Sequence, residues 1–321
     1  MNVALIGAGK IGKIRADIIR QSESQLIAIY DNNPIAAMRL GLPPISLSDL
    51  FKCQDIQAVV IATPTKFHMP LAIEALKSGK HVLCEKPLGR TVSEAKAILL
   101  EVLPSQILHS GFNYRHLSHV KRAKSIIDSG VLGDLMFLRS RFGNGGRPNY
   151  EREWCTQKDL GGGGVMIEQA IHVFDLIPFL FGRPSRILAT TDRCYHKLDT
   201  EDNIFCLVET NNGVANIHVS WTQWTNLFEI EIFGTKGYLR LTGRDGSYGQ
   251  PKLIHGIKND DHSRPYEYQI ELPDENSWAL DWAEFEQEVE RGKNKGDNGL
   301  IAQQMVEAAY ESNKRSEWVY L

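Results

Sequence analysis

The first third of the chain alternates short apolar runs with helical segments. Uninterrupted apolar stretches lie at residues 3–6, 26–30, 58–62 and 81–84, and a further strand-like run covers 107–112. Runs without polar interruptions are typical of parallel strands that are covered on both faces. Because amphipathic helical stretches separate them, the pattern predicts a βαβ domain with a parallel sheet.

After about residue 118 the pattern changes to strict alternation. Residues 214–221, 228–233 and 238–241 place apolar side chains at every second position. This period predicts a mostly antiparallel sheet with one face packed on helices. Further helices are predicted over 119–128, 278–290 and 299–312. We therefore predict an α/β chain of two domains, residues 1–118 and residues 119–321.

Composition narrows the classes of partner. The 321 residues, 42% hydrophobic and 23% charged, allow two well-packed domains, and the net charge of −3 argues against nucleic acid as a main partner. The sequence contains no run of about 18 apolar residues, so we expect no membrane span. We also expect no leader segment at the N-terminus. The five scattered cysteines indicate reduced thiols rather than a disulfide framework or a zinc site. We expect a cytoplasmic protein with no metal site.

A glycine motif, Gly7-Ala8-Gly9-Lys10-Ile11-Gly12, follows the first strand and opens a helix. The first glycine allows the tight turn, the second lets a pyrophosphate approach the backbone, and the third lets helix pack on strand. This placement predicts a dinucleotide site formed by Gly7, Gly9, Lys10, Ile11 and Gly12.

Asp31 ends the second strand, nineteen residues after Gly12. A carboxylate there accepts hydrogen bonds from ribose hydroxyls and repels a 2′-phosphate. No arginine adjoins Asp31 and Asn32, so the sequence favours NAD over NADP.

A lysine stands at the end of a buried strand in Glu85-Lys86-Pro87. Ligands gather at the carboxyl ends of strands in open α/β sheets. Lys86 is therefore expected to lie beside a bound ligand. The alternative is a surface lysine paired with Glu85.

The stretch 160–182 is apolar on nearly every face, yet Glu168, His172 and Asp175 fall at i, i+4 and i+7. Buried ionisable groups must be paired or line a wet cavity. Histidine titrates near neutral pH and suits general acid/base work. The alternative is an exposed Glu–His pair.

The ordered set of motifs resembles the glucose–fructose oxidoreductase / inositol dehydrogenase (Gfo/Idh/MocA) family. It comprises Gly7–Gly12, Ala62-Thr63-Pro64 followed by His68, Glu85-Lys86-Pro87, the stretch 161–175 and Gly234-Thr235-Lys236-Gly237. The resemblance implies a Rossmann domain, a C-terminal domain with a large open sheet, and hydride transfer between a nicotinamide and a sugar or polyol. It also implies that Lys86 lies at the nicotinamide end of the cleft, often before a cis proline, where it is placed to stabilise negative charge on the reacting oxygen.

The same resemblance identifies His172 as the general acid/base. The family's aspartate is Glu168 in this sequence, and a common glycine is Ala170. Glu168 could contact substrate, orient His172, or both. Cofactor contacts are expected from Asp31, Asn32, Thr63, Pro64, His68, Glu85, Lys86 and Asn113. Substrate contacts are expected from Lys86, Asn113, Tyr114, Arg115, Trp154, Glu168 and His172.

Three functions are compatible with these residues. The first is an NAD-dependent dehydrogenase or reductase acting on a sugar, polyol or sugar derivative. The others are redox-neutral, NAD-dependent glycoside cleavage and a catalytically inactive NAD-binding regulator. The open face of the alternating strands predicts a homodimer or homotetramer.

Overall fold

The computed structural model describes residues 1–293 and 299–321. The strands of this part of the chain are β1 (Asn2–Ile6), β2 (Gln25–Tyr30), β3 (Ala58–Ile61), β4 (His81–Glu85), β5 (Leu108–Gly111), β6 (Leu135–Gly143), β7 (Pro184–Asp192), β8 (Asn203–Thr210), β9 (Gly213–Ser220), β10 (Leu227–Gly234), β11 (Gly237–Thr242), β12 (Lys252–Ile257), β13 (Tyr266–Ile270) and β14 (Val319–Tyr320). The helices are α1 (Lys10–Gln21), α2 (Pro34–Arg39), α3 (Leu47–Lys52), α4 (His68–Lys77), α5 (Val92–Leu100), α6 (Ser118–Asp128), α7 (Lys158–Gly161), α8 (Ile171–Leu180), α9 (Ser277–Arg291) and α10 (Leu300–Arg315).

The first compact unit contains the predicted parallel sheet, in the order β2-β1-β3-β4-β5. Alternate residues of β1 enter opposite cores, with Ala4 and Ile6 in one and Val3 and Leu5 in the other. The sheet is therefore buried on both faces, as the continuous apolar runs predict.

The boundaries of this unit differ from the predicted division at residue 118. It comprises residues 1–113 together with 278–300, so α9 belongs to it despite its position late in the chain. The reason is that Trp282 and Phe285 of α9 are buried in one of the two cores. An amphipathic helix shows which face is apolar but not which sheet covers that face.

The second unit, residues 114–277 and 301–321, is built on a nine-stranded sheet. Its order is β13-β12-β11-β10-β6-β9-β8-β7-β14, and among these strands β6 and β9 form a parallel pair while their neighbours run antiparallel. The mostly antiparallel prediction is confirmed. The stretch Lys158–Leu180 is long and apolar enough to cross a membrane, but 83% of its most apolar window is buried inside the protein, as in a core helix.

Candidate active site

The glycines of the first loop have two different roles. A Cβ at Gly7 would lie 2.5 Å from the Ala62 oxygen, and a Cβ at Gly12 would lie 1.9 Å from the Gly7 oxygen, so packing excludes side chains there. At Gly9, by contrast, no described atom lies within 4 Å of the Cβ position. Gly9 also caps α1, and it has no side chain to bond the first amides of the helix. This arrangement fits a pyrophosphate at the helix start.

Asp31 is fixed beside that loop by two backbone amides. Its Oδ2 accepts from the Ala8 amide at 2.7 Å, and its Oδ1 accepts from the Asn33 amide at 2.8 Å. The carboxylate remains partly exposed, and Asn32 next to it is exposed. A half-exposed carboxylate at the end of β2 fits the ribose of NAD.

The other predicted cofactor residues follow successive strands of the same sheet. Thr63 and Pro64 come shortly after β3, Lys86 directly follows β4, and Asn113 comes shortly after β5. In a parallel sheet these carboxyl ends lie on one edge, so the structure collects the predicted cofactor residues there. Lys10 and Ile11 form the first turn of α1.

Lys86 is half-buried between two residues that the fold holds firmly. On one side Nε of Arg15 donates to Oε1 of Glu85 at 2.7 Å. On the other side the Pro87 oxygen lies 2.7 Å from Nδ1 of His68, whose Nε2 lies 2.9 Å from the Thr63 oxygen. The Lys86–Pro87 bond is cis. Glu85 and His68 were predicted as cofactor contacts, but their polar groups are engaged with the protein around Lys86.

A buried ionic cluster lies behind Glu85. Nη1 of Arg15 lies 2.7 Å from Oδ2 of Asp281, and His109 lies 3.2 Å from Asp281 and 2.9 Å from Glu288. Burial lowers the pKa of His109, but its bonds to the two carboxylates outweigh this and raise the pKa to about 9. His109 therefore carries a positive charge at neutral pH.

Sequence reasoning missed this cluster, although one signal was available. Arg15 lies on the apolar face of α1, between the buried residues Gly12 and Ile19. A charged residue on a buried helix face requires a partner. The sequence could not show that the partner comes from α9.

In the second unit the predicted polar stripe does not follow a regular α-helix. Met166–Ala170 forms a π-helix, and α8 begins only at Ile171. Glu168 therefore does not lie one regular α-helical turn before His172, because the wider π-helical turn separates it from α8. Asp175 also has a different role, since it accepts from Nε of Arg115 at 2.8 Å and from a second guanidinium nitrogen. Arg115, predicted as a substrate contact, is held in this ion pair.

The glycine run before the π-helix makes room for a buried carboxylate. Oε1 of Glu201 accepts from the amides of Gly164 and Met166 at 3.1 Å and 3.0 Å, and from the Tyr310 hydroxyl at 2.8 Å. A Cβ at Gly164 would lie 2.1 Å from the backbone oxygen of Glu201 and 2.9 Å from its carboxyl carbon. Glu201 thus anchors the backbone just before Glu168.

His172 is buried, with 6% of its surface exposed, and stacks on Tyr114. The ring centroids are 3.8 Å apart and the planes differ by 8°. Phe142 and Phe228 contact Tyr114 edge-on, each at 5.9 Å. The imidazole plane is therefore fixed by packing, and burial raises the pKa of Tyr114 well above its ordinary value, so Tyr114 stays neutral.

Three tryptophans of the second unit differ in exposure. Trp154 is 40% exposed and stays available for a ligand, and Trp224 is 69% exposed. Trp221 is fully buried against Tyr150, with centroids 4.9 Å apart, and is therefore a core residue. Sequence reasoning also missed Arg244, whose guanidinium carbon lies 4.9 Å from the Tyr114 ring centroid.

Comparisons with known proteins agree with the division of the chain into two units. Residues 1–103 match the family model described as an oxidoreductase family with an NAD-binding Rossmann fold, and residues 120–240 match the GFO/IDH/MocA C-terminal domain. Levoglucosan dehydrogenase of Pseudarthrobacter phenanthrenivorans is 33% identical over 288 residues, which cover 74% of this chain and 72% of that protein. Inositol 2-dehydrogenase of Rhizobium meliloti is 27% identical over 327 residues, which cover 96% of this chain and 95% of that protein.

Two solved structures share the fold. Levoglucosan dehydrogenase in complex with NADH has a TM-score of 0.89 at 24% identity, covering 100% of this chain and 98% of that one. Aldose-aldose oxidoreductase from Caulobacter crescentus has a TM-score of 0.86 at 22% identity, covering 100% and 99%. At these identities the likeness concerns the fold.

Proposed function

Because the chain belongs to the GFO/IDH/MocA family of oxidoreductases, we propose that it transfers hydride between NAD and the hydroxyl or keto carbon of a sugar, polyol or sugar derivative. The observation that carries this proposal is the buried, stacked His172 in a chain whose first domain has an NAD-binding glycine loop. The names of its relatives, levoglucosan dehydrogenase and inositol 2-dehydrogenase, support the class of substrate.

The residues divide the chemistry as follows. Bound NAD supplies the group that accepts or donates hydride. His172 takes the hydroxyl proton during oxidation and returns it during reduction. The ammonium group of Lys86 stabilises the negative charge that develops on the same oxygen. Glu168, at the π-helix before His172, binds a substrate hydroxyl or orients the imidazole. Asp31 and the Gly7–Gly12 loop hold the ribose and the pyrophosphate.

A substrate panel tests this proposal. Neutral polyols, aldoses, sugar acids and sugar phosphates are incubated with NAD, and NADH absorbance is followed together with product analysis. We expect NADH to form in step with a ketone or lactone product, and His172→Ala to abolish it. Products formed without net NADH would instead show redox-neutral turnover. Binding of NADH without turnover on any substrate would contradict the proposal.

A further inference from the structure

Arg244, which follows β11, lies between two tyrosine rings. Its guanidinium carbon is 4.3 Å from the Tyr248 centroid and 4.9 Å from the Tyr114 centroid. The Tyr248 hydroxyl accepts from the side-chain amide of Asn144 at 3.0 Å, which holds that ring in place. Two aromatic faces restrict a guanidinium to one plane and leave its edge for hydrogen bonding.

The charge of Arg244 lacks an acidic partner within the described part of the chain. No carboxylate of residues 1–293 or 299–321 forms an ion pair with it, and its Nε is enclosed without a hydrogen-bond acceptor there. Arg240, within β11 itself, instead lies near Glu231, with 3.6 Å between Nε and a carboxylate oxygen. Leaving a buried guanidinium N–H without an acceptor is unfavourable. The missing partner is therefore best supplied by a ligand.

Arg244 is also close to the proposed acid/base. The Tyr114 centroid lies 4.9 Å from the guanidinium carbon and 3.8 Å from the His172 centroid. Both distances are measured to the Tyr114 ring centroid. The guanidinium carbon and the imidazole centroid can therefore be no farther apart than the sum of these two distances. A ligand bound at Arg244 therefore lies close to the proposed acid/base.

We propose that Arg244 recognises an anionic group, a carboxylate or a phosphate, on the sugar substrate. This inference rests on the proposed hydride transfer at His172 and adds the substrate class: a sugar acid or a sugar phosphate rather than a neutral polyol. Tyr114 and Tyr248 hold the guanidinium in the plane in which it can form two parallel hydrogen bonds with an anion.

The experiment compares acidic sugars with their neutral parents. Initial rates with NAD are measured for hexuronates, hexose phosphates and the corresponding hexoses, in wild type, Arg244→Met, Arg244→Lys and the control Arg240→Met. We expect wild type to favour one acidic series, which distinguishes carboxylate from phosphate. Arg244→Met should lower kcat/KM for that series about 10- to 100-fold more than for the neutral parent, mainly through KM. Arg244→Lys should recover part of the loss, and Arg240→Met should match wild type.

A second measurement separates this inference from the proposed function. Calorimetric titration of wild type and Arg244→Met, each saturated with NADH, uses glucuronate and glucose 6-phosphate as probes. Binding of one probe that Arg244→Met loses supports the anion site even if no substrate is turned over. Equal rates on neutral and acidic sugars, equal losses for both in Arg244→Met, or no probe binding would overturn the inference while leaving hydride transfer to be judged by the substrate panel.

Discussion

Lys86 shows how a single side chain can be placed by its neighbours. Glu85 before it is bonded to Arg15, and the Pro87 carbonyl after it is bonded to His68. We expect Lys86→Ala to lower kcat by about 10²–10⁴-fold, because the charge on the reacting oxygen loses its stabilising cation. Lys86→Arg should recover little, since guanidinium is broader than an ammonium group. Steady-state rates test this, and fluorescence titration should show NADH affinity close to that of wild type; a Lys86→Ala enzyme with normal kcat would refute the role.

One substitution distinguishes the two possible roles of Glu168. If Glu168 orients and stabilises the imidazolium of His172, Glu168→Gln should move the acid limb of the kcat/KM profile to lower pH, because the charged form loses a partner. If Glu168 binds substrate, KM should rise and the limb should stay in place. The pH profile of kcat/KM, recorded beside that of wild type, distinguishes these roles. A variant indistinguishable from wild type in both respects would exclude Glu168 from the site.

We propose that Asp31 determines the preference for NAD over NADP. Its carboxylate is held by the Ala8 amide at 2.7 Å, so it cannot easily turn away from a ribose bound beside the loop. We expect wild type to prefer NAD over NADP, and Asp31→Ala to narrow this preference by removing repulsion of the 2′-phosphate. The ratio of kcat/KM for the two cofactors is the measurement. Asn33→Ala, which removes only the cap of α2, is the control. A wild-type preference for NADP would contradict this assignment.

Helix α9 is joined to the parallel sheet by charge as well as by packing. His109 of β5 lies between Asp281 and Glu288 of α9, with a pKa raised to about 9. Because the folded-state value lies above the ordinary 6.5, protonated His109 stabilises the fold fully below the ordinary value, and this stabilisation is lost as pH rises through about 9.

Thermal denaturation across this pH window tests the cluster. We expect the Tm of wild type to fall between about pH 7 and pH 10 more steeply than that of His109→Gln. His218→Gln is the control, because burial lowers the pKa of His218 and its contribution has the opposite sign. Parallel pH curves for wild type and His109→Gln would show that His109 is not charged in the folded protein.

The sequence predicted the strands and helices better than it predicted which of them pack together. The strand ends that carry Gly7, Asp31, Lys86 and Asn113 were predictable because a parallel sheet brings consecutive carboxyl ends to one edge. The π-helix before His172 was not, because apolar periodicity does not distinguish a π turn, and Glu201, which accepts from the Met166 amide, comes from another part of the chain. The packing of α9 on the parallel sheet and the position of Arg244 depend on contacts between residues that are far apart in the chain. Local periodicity does not encode such contacts.

For the whole molecule, the outward face of the nine-stranded sheet is the proposed contact between copies. Phe137 stacks on Phe233 at 4.7 Å, and Phe205 remains 48% exposed. A row of exposed aromatic rings on a broad sheet favours association. We expect a homodimer, or a tetramer of such dimers, by light scattering at micromolar concentration, and we expect Phe205→Glu to weaken it. Leu100→Glu, at an 87% exposed position of α5, should leave assembly unchanged. A monomeric wild type would contradict this proposal.

Direct hydride transfer from a substrate carbon to NAD can be followed with an isotope. The best substrate of the panel, deuterated at its carbinol carbon, is incubated with NAD, and the reduced cofactor is examined by mass spectrometry. We predict that NADH acquires deuterium in wild type and that His172→Ala forms almost none in the same time, while still binding NADH. Reduced cofactor without deuterium, or undiminished transfer in His172→Ala, would contradict the account.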